Sequence, residues 1–409
     1  AMNVLMHLNP APKAAGDGAD LSFLSPEKAL AVRRFHASFG EYAPTPLVPL
    51  PNLARELGLA EFLVKDESPR FGLNAFKALG ASYAVGRCLA RLAGLPPEDM
   101  TREALRSEAV RQKIGPLTFI SATDGNHGRG LAWTARQLGY KAVILMPKGS
   151  AQIRVDNIRA QGADCRVTDL VYDDTVRLAA DLARQNNWIL VQDTAWDGYE
   201  EIPGWIMQGY MTMTMELLVQ ARALGVRPTH CFLQAGVGSF PAALAGSLIA
   251  ALGPEAPAFI CVEPLAADCV RASAEAGTRR AVGGDLRTLM AGLACGEVRS
   301  LSWDILRDHF AAHMAMPDHV AADGMRMLAA PLPGDTSIVS GESGAAGAGA
   351  AQWLMWRPEA KAWREALGLG EASSVLVIST EGDTDPVNYR NVVWFGAHAA
   401  GPGEAGPAS

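Results

Sequence analysis

The chain has 409 residues, which is longer than one ordinary domain and predicts two packed lobes. Hydrophobic residues make up 49% of the sequence and charged residues 19%, a composition that argues against a disordered chain. The net charge of -7 gives no support for nucleic-acid binding, and no apolar run is long enough to span a bilayer. Because the N-terminus also lacks the basic-then-apolar pattern of a secretory signal, we expect a cytoplasmic protein that binds neither nucleic acid nor membrane.

In the first half, short apolar strands alternate with amphipathic helices. Residues 1–40 carry loose polar and helical material, and a proline-punctuated segment at 45–50 leads to a short helix at 53–57. The predicted strands of this half lie at 61–65, 117–122, 141–147, 165–167 and 188–192. The helices predicted around them lie at 78–92, 129–138, 152–161 and 175–185. A polar insert without clear pattern covers 96–115.

The second half continues this alternation. It begins with a long helix at 205–224, and its predicted strands lie at 230–234, 258–262, 336–340 and 374–378. Such a pattern implies βαβ units, so we predict an α/β fold of two lobes with mainly parallel open twisted sheets flanked by helices. The predicted domains are an N-terminal segment (1–40) packing on the large domain, the large domain (41–90 and 205–395), a small mobile domain (91–204) and a flexible tail (396–409).

Six cysteines are scattered along the chain, without CxxC pairs or histidines at ligand spacing. No metal site is therefore predicted. In a reducing compartment most of these cysteines would be small buried hydrophobic side chains. Cys269 and Cys295 lie in a less regular part of the chain, and the sequence leaves open whether they pair.

One lysine stands out by its position. Lys77 follows Phe76 and precedes a run of small residues that begins the helix predicted at 78–92. The positive end of the helix dipole and the apolar neighbours both favour a neutral amine there. A neutral amine can attack a carbonyl and form a Schiff base. On this stretch alone, a surface lysine at the start of a helix is the better interpretation.

The clearest anion-binding candidate is the loop that follows the strand predicted at 230–234. It consists of Gly236, Val237, Gly238 and Ser239. Its glycines let backbone N–H groups approach a phosphate, and the following helix adds its positive end. The loop does not match the dinucleotide fingerprint, because Pro241 and Ala242 stand where the third glycine belongs. Glycine-rich turns of this kind are also common for packing reasons alone.

A second candidate loop, at 121–128, follows a buried strand. Its small and hydroxyl-bearing residues Ser121, Thr123 and Gly125 can bind a substrate carboxylate, and Asn126 can bond a phenolic oxygen. Asp124 is either the N-cap of the next helix or an acid/base with a raised pKa. His127 is interpreted as structural. Further polar candidates at strand ends are Asp193, Glu342 and Thr380.

A lysine at a helix start, a glycine phosphate loop, an amide for a phenolic oxygen and a hydroxyl for a ring nitrogen are the contacts that pyridoxal phosphate requires. The motifs around Lys77, Asn126 and Gly236 resemble, in order, those of the fold-type II pyridoxal phosphate enzymes. Among these, residues 40–395 are most similar to the diaminopropionate ammonia-lyase family. Asp124 and Asp193 carry that narrower resemblance.

The resemblance implies a role for each candidate residue. Lys77 would bind the cofactor covalently beside Phe76, and Asn126 would contact the ring hydroxyl. The loop of Gly236, Val237, Gly238 and Ser239 would bind the phosphate, Thr380 would face the ring nitrogen, and Glu342 would be a further cofactor contact. Ser121, Thr123 and Gly125 would bind the substrate. Asp124 and Asp193 would remove the α-proton from opposite faces, with Lys77 as the remaining acid/base.

The implied reaction is α,β-elimination of either enantiomer of 2,3-diaminopropionate to pyruvate and two ammonia molecules, through an aminoacrylate. The enzyme would be a carbon–nitrogen lyase, and the implied assembly is a homodimer. Two alternatives stay open at this point. One is a serine or threonine dehydratase, or a β-replacement synthase, on the same fold. The other is a non-catalytic pyridoxal phosphate binder.

Overall fold

The structure, a computed structural model, describes residues 4–123, 125–193, 196 and 198–400. The strands are β1 (Leu5–Leu8), β2 (Leu47–Pro49), β3 (Glu61–Asp66), β4 (Thr118–Ala122), β5 (Lys141–Met146), β6 (Asp164–Val167), β7 (Ile189–Leu190), β8 (His230–Gln234), β9 (Ala258–Pro264), β10 (Phe310–Met316) and β11 (Ser374–Ser379).

The α-helices are α1 (Pro26–Ala37), α2 (Pro51–Glu56), α3 (Ala78–Ala93), α4 (Arg102–Arg106), α5 (Glu108–Ile114), α6 (Asn126–Leu138), α7 (Gln152–Arg159), α8 (Tyr172–Asn186), α9 (Glu201–Gly209), α10 (Met211–Leu224), α11 (Ser239–Leu252), α12 (Cys269–Ala276), α13 (Ser300–His309), α14 (Asp318–Ala329), α15 (Ala346–Trp356), α16 (Lys361–Leu367) and α17 (Pro386–Val393). Short 3-10 helices lie at Ser22–Leu24, Arg70–Gly72, Pro97–Asp99, Gly253–Glu255, Leu265–Ala267, Ala291–Leu293 and Pro358–Ala360. None of the described helices is both long and apolar enough to cross a membrane.

The first of two compact units comprises the described residues of Ala1–Ser22, Thr45–Pro69 and Glu216–Ser409. Its seven-stranded sheet has the order β1-β10-β9-β8-β11-β3-β2. The central strands are parallel, while the edge strands β1 and β2 run antiparallel to their neighbours. Every residue of β8 and β11 is buried, because helices such as α11 and α15 cover this sheet. Burial on both faces explains why these strands read as continuous apolar runs.

The second unit comprises Phe23–Pro44 and the described residues of Arg70–Met215. Its four-stranded sheet, with the order β6-β5-β4-β7, is parallel throughout. Helices α6 and α8 pack against β4 and β5. The apolar core beneath α8 consists of Ile120, Ala122, Val143, Leu145, Ala179 and Ala183. Both units therefore have the mainly parallel α/β architecture predicted from the sequence.

The unit boundaries differ from the predicted domain boundaries. Residues 23–44, 70–90 and 205–215 belong to the second unit, whereas the sequence predicts 23–40 in the N-terminal segment and the other positions in the large domain. The reason is helical packing: α3 lies against α6, α9 and α1. Its contact with α9 is so close that a Cβ on Gly209 would collide with the carbonyl oxygen of Leu79. The predicted tail at 396–409 lies mostly outside the described residues.

Two further elements differ from the prediction. The long helix predicted at 205–224 is interrupted at Tyr210, which separates α9 from α10 and has 3-10-type bonds on either side. The polar insert at 96–115 forms the short helices α4 and α5, whose N-termini are capped by the hydroxyls of Thr101 and Ser107. Such caps satisfy backbone N–H groups at the start of a helix, and the spacing of apolar residues does not indicate them.

Candidate active site

Lys77 and Asp193 form an ion pair in the second unit. Lys77 directly precedes α3, as predicted, and Asp193 follows β7. The Lys77 Nζ lies 2.8 Å from Asp193 Oδ2, and the two side chains are 25% and 16% exposed. The structure thus brings together two of the three predicted catalytic residues, in a partly buried position where a proton can pass between amine and carboxylate. Asp124, the third, lies outside the described residues.

Aromatic side chains enclose this ion pair on one side. The ring centroid of Phe76 lies 5.9 Å from Lys77 Nζ and 4.9 Å from the ring centroid of Tyr210. Burial raises the pKa of Tyr210 to about 12, so its hydroxyl stays protonated at neutral pH. Tyr210 lies within the range 205–224, which the sequence predicts to be one continuous helix. Tyr210 lies at the interruption between α9 and α10.

The loop that follows β4 caps its own helix. Thr123 Oγ1 accepts hydrogen bonds from the N–H groups of Gly125, at 3.0 Å, and Gly128, at 3.2 Å. This cap explains why α6 begins at Asn126, three residues before the predicted start at Arg129. Having accepted two bonds, the Thr123 hydroxyl still carries a proton that can be donated to an anion. Asn126 therefore occupies the first position of a well-capped helix.

Gln192 organises the ends of β4 and β7, a role that the sequence did not reveal. Its Oε1 accepts bonds from Ser121 Oγ at 3.0 Å and from the Ala122 N–H at 2.9 Å. Its Nε2 donates to the Ala122 carbonyl at 2.8 Å. Because the Ser121 hydroxyl donates to Gln192 in the core, a contact between that hydroxyl proton and a substrate would require this bond to break. His127 is also buried, and its Nε2 lies 2.8 Å from the Val191 carbonyl oxygen.

In the first unit, the predicted phosphate loop connects β8 to the N-terminus of α11. Gly238 has a φ of +92°, which favours glycine, and a Cβ there would lie 2.6 Å from Leu306 Cδ1. A Cβ on Gly236 would lie 3.1 Å from Cys295 Sγ and 3.2 Å from the Gly292 carbonyl oxygen. Glycine is therefore required here for steric as well as conformational reasons. The loop leads into a 14-residue helix, whose N-terminal dipole favours an anion such as a phosphate.

Gln234, the last residue of β8, joins several loops of the first unit. Its Nε2 lies 3.1 Å from Thr380 Oγ1, 3.0 Å from the Ser343 carbonyl oxygen and 2.9 Å from the Ile378 carbonyl oxygen. Because Thr380 accepts from Gln234, its hydroxyl proton is left to donate to a second acceptor, as an unprotonated ring nitrogen requires. A polar residue at the end of a buried strand is the signal that could have pointed to Gln234.

Glu342 is buried in the turn that precedes α15. Its Oε1 accepts a hydrogen bond from Asn388 Nδ2. The nearby Glu381, which was not predicted, accepts from the Ser343 N–H at 3.1 Å. These carboxylates hold the turn at 341–345 beside the segment that follows β11. Glu342 thus has a clear structural partner, and its predicted contact with a cofactor stays a prediction.

Known proteins resemble this chain in sequence and in fold. A family model described as pyridoxal-phosphate dependent enzyme matches residues 39–381. The chain belongs to this family. It is 49% identical to the diaminopropionate ammonia-lyase of Escherichia coli (strain K12), over 94% of this chain and 96% of that protein. It is also 49% identical to the diaminopropionate ammonia-lyase of Salmonella typhimurium, over 96% of this chain and 98% of that protein.

A solved structure shows the same fold. It is the crystal structure of the Escherichia coli diaminopropionate ammonia lyase in complex with an aminoacrylate-PLP azomethine reaction intermediate. The TM-score is 0.89 at 46% identity, and the match covers 98% of this chain and 99% of that chain. The predicted resemblance and the fold-type II architecture are therefore confirmed, and the protein is a pyridoxal-phosphate-dependent enzyme. The lysine, the glycine loop and the Thr380 hydroxyl fit this cofactor.

Proposed function

We propose that this protein is an ammonia-lyase that converts 2,3-diaminopropionate and water to pyruvate and two molecules of ammonia. The observation that carries the proposal is the Asp193 carboxylate 2.8 Å from Lys77 Nζ. The β-amine of this substrate is a poor leaving group unless it is protonated, so the reaction requires groups that hold and deliver protons close to the cofactor lysine. The similarity to diaminopropionate ammonia-lyases along nearly the whole chain supports the same substrate.

Each predicted residue has a role in this proposal. Bound pyridoxal phosphate supplies an electron sink for the substrate's α-carbon. Lys77 carries the cofactor beside Phe76, and Lys77 and Asp193 exchange a proton between Nζ and Oδ2. The groups proposed to orient the cofactor are Asn126 at its ring hydroxyl, Thr380 at its ring nitrogen, Gly236, Val237, Gly238 and Ser239 at its phosphate, and Glu342.

The proposed substrate carboxylate site lies in the loop at 121–128. Thr123 is its best-supported member, because its hydroxyl accepts two backbone N–H bonds and can donate its own proton to the carboxylate. Ser121 and Gly125 complete the predicted set. Asp124 and Asp193 would remove the α-proton from opposite faces, so we propose that both enantiomers are substrates.

Product stoichiometry tests the proposed reaction. The purified holoenzyme is incubated with D- and L-2,3-diaminopropionate, serine and threonine, and ammonia is measured together with the 2-oxoacid product, which is 2-oxobutyrate for threonine and pyruvate for the other substrates. Diaminopropionate should yield two ammonia molecules per pyruvate, since it has two nitrogens and pyruvate has none. Preferential turnover of serine, with one ammonia per pyruvate, would support the dehydratase alternative instead. A β-replacement synthase would require a second nucleophile, and a non-catalytic binder would release no pyruvate.

We also propose a cytoplasmic homodimer. The support for this part is the family resemblance noted from the sequence. The molar mass in solution, measured by light scattering during size-exclusion chromatography, tests the assembly: a mass of one chain would contradict it. Fractionation of cells that express the protein tests its location.

A further inference from the structure

The loop that precedes Lys77 contains unusual backbone conformations. Phe71 has φ +51° and Asn74 has φ +58°, in the left-handed region that residues other than glycine rarely adopt. Asparagine tolerates this region better than most residues, whereas a large aromatic residue there is an outlier. Only two residues separate Asn74 from Lys77. Such conformations persist when the surrounding structure holds them, and they cluster at functional sites.

Two side chains of α6 hold this loop. Arg129 Nη1 donates to the carbonyl oxygen of Leu73 at 2.9 Å, between the two unusual residues. Trp133 stacks on the Phe71 ring, with centroids 4.6 Å apart and an interplanar angle of 28°. Arg129 and Trp133 are four residues apart, so they lie on the same face of the helix. We name these two residues the α6 clamp.

The backbone of α6 also touches the peptide of Lys77 on this face. A Cβ on Gly130 would lie 2.8 Å from Ala78 Cα and 3.3 Å from the Lys77 carbonyl carbon. The same helix begins at Asn126. A single rigid helix therefore contacts the strained loop and the lysine peptide, and it also carries the residue proposed to bind the cofactor's ring hydroxyl.

The environment of Arg129 argues against an incidental surface contact. The guanidinium is partly buried, burial lowers its pKa, and its Nε has no hydrogen-bond partner within the described part of the chain. Removing a charged group from water is unfavourable unless the group makes compensating bonds. The bond to the Leu73 carbonyl is such a compensating interaction, at a point where the loop conformation needs support.

We propose that Arg129 and Trp133 are positioning residues, which hold the loop at 71–74 so that Lys77 Nζ is fixed relative to Asn126. The proposal rests on the proposed function only in that Lys77 binds pyridoxal phosphate. Loss of the clamp lets Phe71 and Asn74 relax towards ordinary backbone angles. The lysine then samples several positions, so it reacts more slowly with the cofactor and its imine titrates at a different pH.

The test measures the capture of pyridoxal phosphate by the apo form of the full-length protein. Arg129→Met removes the donor and the charge but retains a long side chain. We expect it to slow the growth of the imine absorbance band at least tenfold and to shift the pH midpoint of that band. Arg129→Lys retains a donor and should restore most of the rate. Arg136→Met, on the same helix but exposed, is the matched control and should behave as the wild type.

Two outcomes would contradict this proposal. In the first, Arg129→Met captures pyridoxal phosphate at the wild-type rate and its imine band has the wild-type pH midpoint. In the second, Arg136→Met shows the same defect as Arg129→Met. If Arg129→Met does not fold, Trp133→Phe provides the same test, because the smaller ring weakens the stacking and should give a smaller shift of the same sign. Borohydride labelling separates this proposal from the proposed function. A wild type that is labelled at Lys77 but inactive on diaminopropionate contradicts the proposed function alone.

Discussion

In the proposed function, the lysine loop at 70–77 and the glycine loop at 236–239 contribute to cofactor binding in two different ways. In the glycine loop, Gly238 adopts a φ of +92° at no steric cost, and the absence of side chains on Gly236 and Gly238 leaves room for backbone N–H groups to approach a phosphate. In the lysine loop, Phe71 and Asn74 adopt positive φ despite their side chains. This loop has to hold the Lys77 side chain in one position rather than expose its backbone N–H groups.

This difference shows where specific side chains matter. The glycine loop depends on the absence of side chains at Gly236 and Gly238, so almost any substitution of these two residues should weaken cofactor binding by steric exclusion. The lysine loop depends on particular groups: the Lys77 amine, the Asp193 carboxylate and the α6 clamp. Its substitutions should impair chemistry or geometry while the cofactor remains bound, with Lys77 itself as the exception.

Substitution of Lys77 should have the largest effect. Lys77→Ala removes both the covalent attachment and a proton carrier, so we expect turnover to fall by at least about 10³-fold. The variant should still fold, because the Lys77 side chain is partly exposed and the residue lies at the start of a helix. The variant should lack the imine absorbance band and any borohydride-labelled lysine. Lys148→Ala, at an exposed lysine of the same unit, is the control. A label on a lysine other than Lys77 in the wild type would refute this assignment.

The two candidate acids should show opposite stereochemical defects. General-base removal costs on the order of 10²–10⁴ in rate, so Asp124→Asn and Asp193→Asn should each cripple one enantiomer of diaminopropionate far more than the other. We expect Asp124→Asn to affect the D-isomer and Asp193→Asn the L-isomer, by family resemblance. Both variants should retain the cofactor. If the residues were only caps, they would cost about 1 kcal/mol of stability and affect both isomers alike.

Substitution in the glycine loop should reduce cofactor affinity instead. In Gly238→Val, the side chain would collide with Leu306 and the residue would be strained at positive φ. We expect pyridoxal phosphate affinity to fall by about 100-fold, while the thermal unfolding midpoint of the apo form changes by a few degrees. Gly253→Val is the matched control, because Gly253 also has positive φ at the other end of α11 but faces open space. Equal affinities in the two variants would place the phosphate elsewhere.

Local patterns were sufficient for the parts of the site that depend on neighbouring residues. The strand β8 lies at the predicted residues 230–234, and Lys77 precedes a helix as expected. A run of apolar residues before a loop indicates the strand, and a run of small residues after Lys77 indicates the helix. The resemblance of these motifs to a known family supplied the roles of Thr380 and Asp193, which no local pattern could give.

Contacts between distant segments were not predictable in this way. The sequence predicts no strand at β1 or β10, which pair antiparallel although some 300 residues apart in sequence, and β10 is rich in alanine and methionine. The sequence predicts a strand at 336–340, but Ile338 donates its N–H to the Leu328 carbonyl and this segment belongs to neither sheet. Gln192 and Gln234 organise loops through hydrogen bonds that depend on the finished fold.

The smallest predicted effect concerns the sheet behind the glycine loop. Glu263, on β9 beside β8, is fully buried and accepts hydrogen bonds from the N–H groups of Val270 and Arg271. Burial raises its pKa to about 8 from an ordinary value of 4.5, although these two bonds act in the opposite direction. Between these pH values the folded protein keeps the proton while the unfolded chain releases it. The unfolded state then binds fewer protons, so the free energy of unfolding falls as pH rises.

Glu263→Gln should remove this pH dependence. Relative to the variant, the wild type should lose up to about 1.4 kcal/mol of stability per pH unit between about pH 5 and pH 8. Thermal unfolding midpoints of both proteins across this range provide the measurement. Glu275→Gln, at an exposed carboxylate on α12, is the control and should retain the wild-type slope. If Glu263→Gln has that same slope, the buried carboxyl does not carry the effect. Cofactor affinity should be unchanged in both variants, because neither substitution adds atoms to the glycine loop.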